Sequence, residues 1–184
     1  AVSMTSSIEM AFGSTVMVNG YILNNQLTDF ALSPRKNGKL LANRVEAGKR
    51  PRSSMSPVMV FNNDGSLRLV VGSPGGSRII DYVAQVVIGV LDWQLTAQQA
   101  IDLPRITNRN NYTSVEKGTA IEAIIPDLQK RGHTVKVVDL NSGLHAVEVV
   151  NGTLFGAADP RREGIALSEQ SIVLKEHEMP VNKP

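Results

Sequence analysis

The 184-residue chain has no cysteine, which excludes disulfides, thiolate nucleophiles and cysteine–zinc sites from it. Aromatic residues are scarce, at 4%, and none interleave the two basic stretches RKNGK and GKRPR. With a formal net charge of only +2, that pattern argues against a nucleic-acid partner. No apolar run approaches the roughly 18 residues that a membrane-spanning helix needs. The three histidines, His133, His145 and His177, lie far apart without metal-ligand spacing, so they read as surface or internally bonded side chains. The chain opens without Met and without a signal-peptide pattern, and its first residues read as a strand already in mid-course. The expectation is a piece of a longer gene product, with enough residues for one core.

What is present is a succession of short patterned segments. AVSMTSSIEM alternates with period 2, setting Val2, Met4, Ile8 and Met10 on one face and Ser3, Thr5, Ser7 and Glu9 on the other. STVMVNGYILNNQLTDF predicts a strand pair, or one long strand broken, at the turn signal Asn19-Gly20, ending in the polar cluster Asn24, Asn25, Gln26 and Asp29. The basic, turn-rich segment from Ala31 to Ser54 reads as an exposed loop. SPVMVFNNDGSLRLVVGS predicts a hairpin around Asn63-Asp64-Gly65. A helix follows from Ser77 to Leu95, apolar over more than half its girth and therefore expected between two layers. A second helix starts at the N-cap Thr96 and stops before Pro104, and a third ends at Gly132. TVKVVDL and the pair joined at Asn151-Gly152 give three more strands. Strands, then helices, then strands is the α+β order, with helices laid on antiparallel sheet. The domain is expected to span residues 1–166, with a peripheral tail over 167–184.

Four polar clusters sit at strand ends or in the loops beyond them, where sites commonly form: Ser7/Glu9, Asn24–Asp29, Ser53-Ser54 and Gly75-Gly76. GSPGGS precedes the long helix, and glycine-rich turns there expose N–H groups to negative charge. No Lys follows it as in a phosphate-binding loop, and Pro74 removes one N–H, so a transient oxyanion suits it better than a bound phosphate.

ILNNQLTDF, GKRPRSSMSP, GSPGGSRII and GAADPRREG, in this order and spacing, resemble the small subunit of the γ-glutamyltranspeptidases over nearly the whole chain up to Ala166. The resemblance implies the four-layer αββα sandwich of the N-terminal nucleophile hydrolases, made by a precursor that cleaves itself and completed by a large subunit. It implies γ-glutamyl transfer and hydrolysis of glutathione-like amides through a γ-glutamyl-enzyme ester, with amino acids, peptides or water as acceptors and no cofactor. The ester forms on an N-terminal Thr that acts as nucleophile with its own amine as base. That Thr belongs about a dozen residues before AVSMTSS, and neither the internal Thr5 nor the Ala1 amine can replace it.

The other roles come from the resemblance position by position. Ser7 matches the hydroxyl that orients the nucleophile. Glu9, where many members have Asn and some Glu, lies beside the substrate α-amino group, which Gln26 and Asp29 also hold. Ser53 and Ser54 match the pair that binds the α-carboxylate, helped by an Arg of the large subunit. Gly75 and Gly76 match the oxyanion hole. The segment between Phe30 and Asn43, a lid over the glutamyl pocket in many bacterial members, is short here. The family expectation for location is periplasmic or extracellular, with the signal peptide on the large subunit. Two alternatives remain at this stage: a related amidohydrolase of the cephalosporin-acylase kind, and a non-catalytic anion-binding module built on GSPGGS.

Overall fold

The computed structural model describes residues 1–9 and 12–168. Met10 of the first alternating segment, His177 and the tail from 169 onward lie outside the described residues. The N-terminal third consists of two small hairpins. β1 (Met17–Val18) and β2 (Tyr21–Ile22) turn at Asn19-Gly20, both with positive φ, as the Asn-Gly pair requires. The segment expected as an exposed loop contains a second such hairpin, β3 (Arg35–Lys36) and β4 (Lys39–Leu40), turning at Asn37-Gly38. Its Asn-Gly signal was legible, but its flanks are charged rather than alternating, so periodicity gave no strand.

The main sheet is antiparallel. β5 (Val58–Phe61) and β6 (Leu67–Gly72) form the expected hairpin around Asn63-Asp64-Gly65. A 3-10 turn over Gly76–Arg78 then leads into α1 (Ile79–Leu91). The helix is shorter than the expected 77–95, because Gln94 adopts φ +56 and the Leu95 N–H closes back on the Gly89 carbonyl at 3.0 Å. α2 (Ala97–Asp102) starts at Thr96 with a full capping box to Gln99.

β7 (Ile106–Asn108) and β8 (Thr113–Glu116) follow, and with β9 (Val135–Val138) they form a second sheet in which β8 and β9 run parallel. β7 and β8 were not expected from the sequence, whereas β9 was, and the parallel pair corrects the purely antiparallel expectation. Their buried positions include Thr107, Thr113, Ser114 and Glu116, so the apolar periodicity that betrays a strand is missing. Between β8 and β9, α3 (Ile125–Lys130) closes on Gly132 at φ +90. β10 (His145–Val150) and β11 (Thr153–Ala158) turn at Asn151-Gly152 and extend the main sheet to the order β11-β10-β6-β5.

Cross-strand register places Val58, Val71, Ala146 and Ala157 in one row and Val60, Leu69, Glu148 and Phe155 in the next row of the same face. α1 and α2 cover this face, burying Val83, Val86, Val90, Ala100 and Ile101 against it. Glu148 sits in an apolar row because its carboxylate accepts the Ala97 N–H at the start of α2, at 2.9 Å. The fold is therefore α+β as expected, a helical layer on a sheet. Among the described residues none covers the outer side of α1, where Ile80 and Ile88 are exposed.

The first nine residues correct the strand reading. No strand forms there, and the Ile8 N–H closes on the Ser6 carbonyl at 3.0 Å, a tight turn at Ser7. The segment crosses the second face of the sheet, where Ser3 Oγ donates to the Val71 carbonyl at 3.1 Å and Gly72 leaves room for it. A strand needs an open neighbouring backbone as well as alternation, and β6 already has a partner on each side. The alternation survives with its sense reversed. Ser3, Thr5 and Ser7 face inward, whereas Val2 and Met4 are 84% and 83% exposed.

A buried ionic network ties the end of β11 to the second sheet. Arg161 bonds both oxygens of Glu116, at 2.5 and 2.9 Å, and Asp159 at 3.1 Å. Arg105 is fully buried beside them, its backbone N–H bonded to Glu116 at 2.7 Å. Burial, with the nearby charge of Arg161, brings the Arg105 pKa down to about 10. Burial alone would push the Asp159 carboxyl up. Hydrogen bonds from Ser142, the Arg161 and Leu144 N–H groups and the Arg161 side chain outweigh it and hold the pKa below the ordinary 3.8.

Candidate active site

Four chain segments converge on one cavity of about 380 Å³: residues 5–9, Asp29, residues 52–55 and the turn 74–79 that joins β6 to α1. Seven of the eight site residues expected from the sequence line it: Ser7, Glu9, Asp29, Ser53, Ser54, Gly75 and Gly76. The eighth, Gln26, stands behind Asp29 and donates from Nε2 to Asp29 Oδ2 at 2.7 Å. A larger cavity of about 480 Å³ lies on the second face of the sheet and shares Thr5, Ser6 and Pro74 with the first. Its lining holds His145 but no carboxylate, so the chemistry concentrates in the smaller one.

Amide side chains, not apolar packing, hold the N-terminal part of this site. Asn25 brackets the tight turn: its N–H donates to the Ser7 carbonyl at 3.1 Å, and its Oδ1 accepts the Glu9 N–H at 3.0 Å. This bracket, rather than a shared strand face, brings Ser7 and Glu9 to the same cavity. Asn24 Oδ1 accepts the Gln26 N–H at 3.1 Å, at the start of a 3-10 turn over Gln26–Asp29. Asn43 joins the segments that carry Asp29 and Ser53, donating to the Asp29 carbonyl at 2.6 Å and accepting the Arg52 N–H at 2.9 Å. Ser53 Oγ accepts the Met55 N–H at 3.2 Å, which leaves its O–H proton available as a donor.

The GSPGGS turn is built differently. Gly75 has φ +139, and a Cβ there would lie 2.7 Å from the ring of the buried Tyr82. Gly76 has φ +58, but a Cβ there would meet only Glu9 Oε1, at 3.6 Å. Gly75 is thus the position where nothing but glycine fits, while Gly76 is limited by its backbone conformation alone. The Gly75 and Gly76 N–H groups have no acceptor among the described residues, and both residues line the cavity at the entry to α1. Burial pushes the Tyr82 phenol above its ordinary 10, so the ring beneath the turn stays neutral.

Two arginines that sequence reasoning left unassigned, Arg52 and Arg78, also line the cavity, and Asn43 supports it from behind. Arg52 and Arg78 adjoin recognised motifs and could have been suspected from that position. Asn43 lies in a segment with no local signal. The cavity therefore offers two carboxylates for a cation, hydroxyls and arginines for an anion, and two adjacent N–H groups for an oxygen that gains charge. No histidine lines it among the described residues.

A family model described as gamma-glutamyltranspeptidase matches residues 1–168. The chain is 38% identical over 172 residues to the glutathione hydrolase proenzyme of Bacillus subtilis, covering 90% of this chain and 28% of that protein. It is 37% identical over 171 residues to the glutathione hydrolase proenzyme of Escherichia coli, covering 88% and 29%. It therefore spans less than a third of the length of these curated relatives. Among solved structures, a mutant gamma-glutamyltranspeptidase of Helicobacter pylori superposes with a TM-score of 0.77 at 34% identity, covering 88% of this chain and 93% of that one.

Proposed function

Because this chain belongs to the gamma-glutamyltranspeptidase family, we propose that it carries the recognition and oxyanion-binding groups of a γ-glutamyl hydrolase and transferase. The observation that supports this most is the single cavity in which Glu9, Asp29, Ser53, Ser54, Gly75 and Gly76 meet. A γ-glutamyl head has an ammonium and a carboxylate on one carbon, and the cavity has matching groups for both. Asp29, oriented by Gln26, and Glu9 take the ammonium, and the hydroxyls of Ser53 and Ser54 take the carboxylate. The γ-carbonyl oxygen then lies against the Gly75 and Gly76 N–H groups.

The nucleophile is the hydroxyl of an N-terminal Thr that is not among these residues, oriented by the Ser7 hydroxyl. Its own amine takes the hydroxyl proton as the oxygen attacks the γ-carbonyl. The tetrahedral oxyanion is stabilised at the glycine pair, and the leaving amine takes the proton as the C–N bond breaks. The resulting ester is cleaved by water, giving glutamate, or by an acceptor amine, giving a new γ-glutamyl amide. A large subunit from the same precursor covers the exposed Val2, Met4, Ile80 and Ile88 and supplies the remaining layers of the sandwich. The pair works outside the cytoplasm, as the family resemblance implies.

The test is Asp29→Ala in the complete enzyme. A loss of about a hundredfold or more in kcat/KM on a γ-glutamyl anilide, roughly 2.7 kcal/mol, is expected. Near-normal turnover would mean that the pocket does not read a γ-glutamyl head.

A further inference from the structure

The oxyanion turn contains a bond that is free to flip unless something holds it. The peptide between Pro74 and Gly75 is trans, so its C=O and N–H point in opposite directions. The two orientations of that plane differ by coupled changes in ψ of Pro74 and φ of Gly75, and proline accepts both values of ψ while glycine accepts φ of either sign. One orientation presents the Gly75 N–H to the cavity. The other presents the Pro74 carbonyl, whose partial negative charge would repel an oxyanion.

Ser73 lies immediately before this peptide and is 2% exposed. Its Oγ donates to the Pro74 carbonyl at 2.7 Å and accepts the Gly143 N–H at 3.4 Å. Gly143 is itself pressed against the proline: a Cβ there would stand 2.8 Å from Pro74 Cγ. Its neighbours are clamped by the buried Asp159 carboxylate, which accepts from Ser142 Oγ at 2.5 Å and from the Leu144 N–H at 3.2 Å. The hydroxyl is therefore anchored through the 142–144 segment to the rigid end of β11.

We propose that Ser73 is a positioning residue for the oxyanion hole: its hydroxyl holds the Pro74 carbonyl and so fixes the direction of the Gly75 N–H. The proposal rests on the oxyanion role given above to Gly75. The hydroxyl touches no substrate. It acts by keeping populated the one peptide orientation that can stabilise the tetrahedral intermediate, so its effect belongs to the transition state and not to ground-state binding.

Ser73→Ala in the complete enzyme tests this. On a γ-glutamyl anilide, kcat should fall by about tenfold or more with KM changed less than about twofold. Inhibition by a tetrahedral boronate analogue of glutamate should weaken by the same factor, and competitive inhibition by L-glutamate should not change. A kcat close to that of the parent, or a loss confined to KM, would overturn the proposal. A crystal structure of the variant reads the peptide plane independently of turnover. A Pro74–Gly75 peptide still held in the parent orientation would overturn the latch even if activity fell. If the parent hydrolyses no γ-glutamyl amide, the functional reading of the site fails instead, and the same structure still decides whether Ser73 holds the plane.

Discussion

The stretch before Met55 and the stretch after it solve the same problem, holding polar groups at one cavity, by opposite means. Of the seventeen buried apolar side chains among the described residues, only Phe30 precedes Leu69. The first stretch is shaped by Asn24, Asn25 and Asn43, which bond backbone groups across turns, while Leu27, Leu32 and Val45 stay exposed. The second stretch places its turn on a sheet, a helix and a buried ionic network. The groups proposed to recognise a substrate head thus sit on a scaffold with little core of its own, and those proposed to face the reacting carbonyl sit on a sheet and helix with a packed core. The difference predicts that substitutions in the two stretches separate activity from stability.

The largest effect is expected in the second stretch. Arg161→Ala leaves the buried Glu116 carboxylate without its guanidinium and removes one of the partners of Asp159, a loss of about 3–5 kcal/mol in folding stability. Thermal or denaturant unfolding measures it. A variant as stable as the parent would show that the network does not hold β11 to the second sheet. By contrast, Asn43→Ala should leave the melting temperature nearly unchanged and lower kcat/KM by about tenfold, since it loosens one polar clamp on Asp29 and Arg52. A large drop in melting temperature for Asn43→Ala would erase the contrast between the two stretches.

Next comes the turn. Gly75→Ala should lower kcat by about a hundredfold, because the methyl meets the Tyr82 ring and the backbone cannot relax into its core. Gly76→Ala should cost nearer tenfold, the roughly 1–2 kcal/mol of a left-handed non-glycine residue. Equal losses would mean that the glycines matter for conformation alone.

A smaller effect concerns acid. Because the folded pKa of Asp159 is depressed, its stabilisation is fully present above the unfolded value near 3.8 and is lost as pH falls through the lower folded value. Asp159→Asn should therefore flatten the decline of stability below about pH 4, as well as lowering stability at neutral pH. An unchanged acid limb would show that Asp159 does not titrate on unfolding. Smallest of all is Glu46, an exposed carboxyl held below the usual range by hydrogen bonds from Lys49 and then Arg44. Glu46→Gln should leave the unfolding midpoint unchanged.

Much of this was legible in the chain itself. Asn-Gly pairs fix hairpin turns through the backbone conformations they tolerate, so the bends at Asn19-Gly20 and Asn151-Gly152 were readable without tertiary context. The capping box at Thr96 is equally local. Ser7, Glu9, Asp29, Ser53, Ser54, Gly75 and Gly76 stood out as polar or glycine clusters at strand ends, but their roles came from the resemblance of the surrounding motifs to a known family, and the structure brings them to one cavity. The first segment shows where such reading stops. Its alternation was real, yet whether it becomes a strand, and which row faces inward, depends on a neighbouring backbone that no window of ten residues contains.

What the sequence by itself determined is therefore local: turns, caps, helix starts and the chemical character of the site groups, all set by interactions a few residues apart. Only the tertiary structure decided the rest. β7 and β8 are strands because their backbones pair with each other and with β9, and because Arg105 and Arg161 satisfy the Glu116 carboxylate, not because their side chains alternate as apolar and polar. Asn43 reaches Asp29 and Arg52 across 14 and 9 residues, and Ser73 meets Gly143 across 70. A hydrogen bond between distant residues has no sequence period, since its geometry exists only after the core has brought its two ends within about 3 Å of each other.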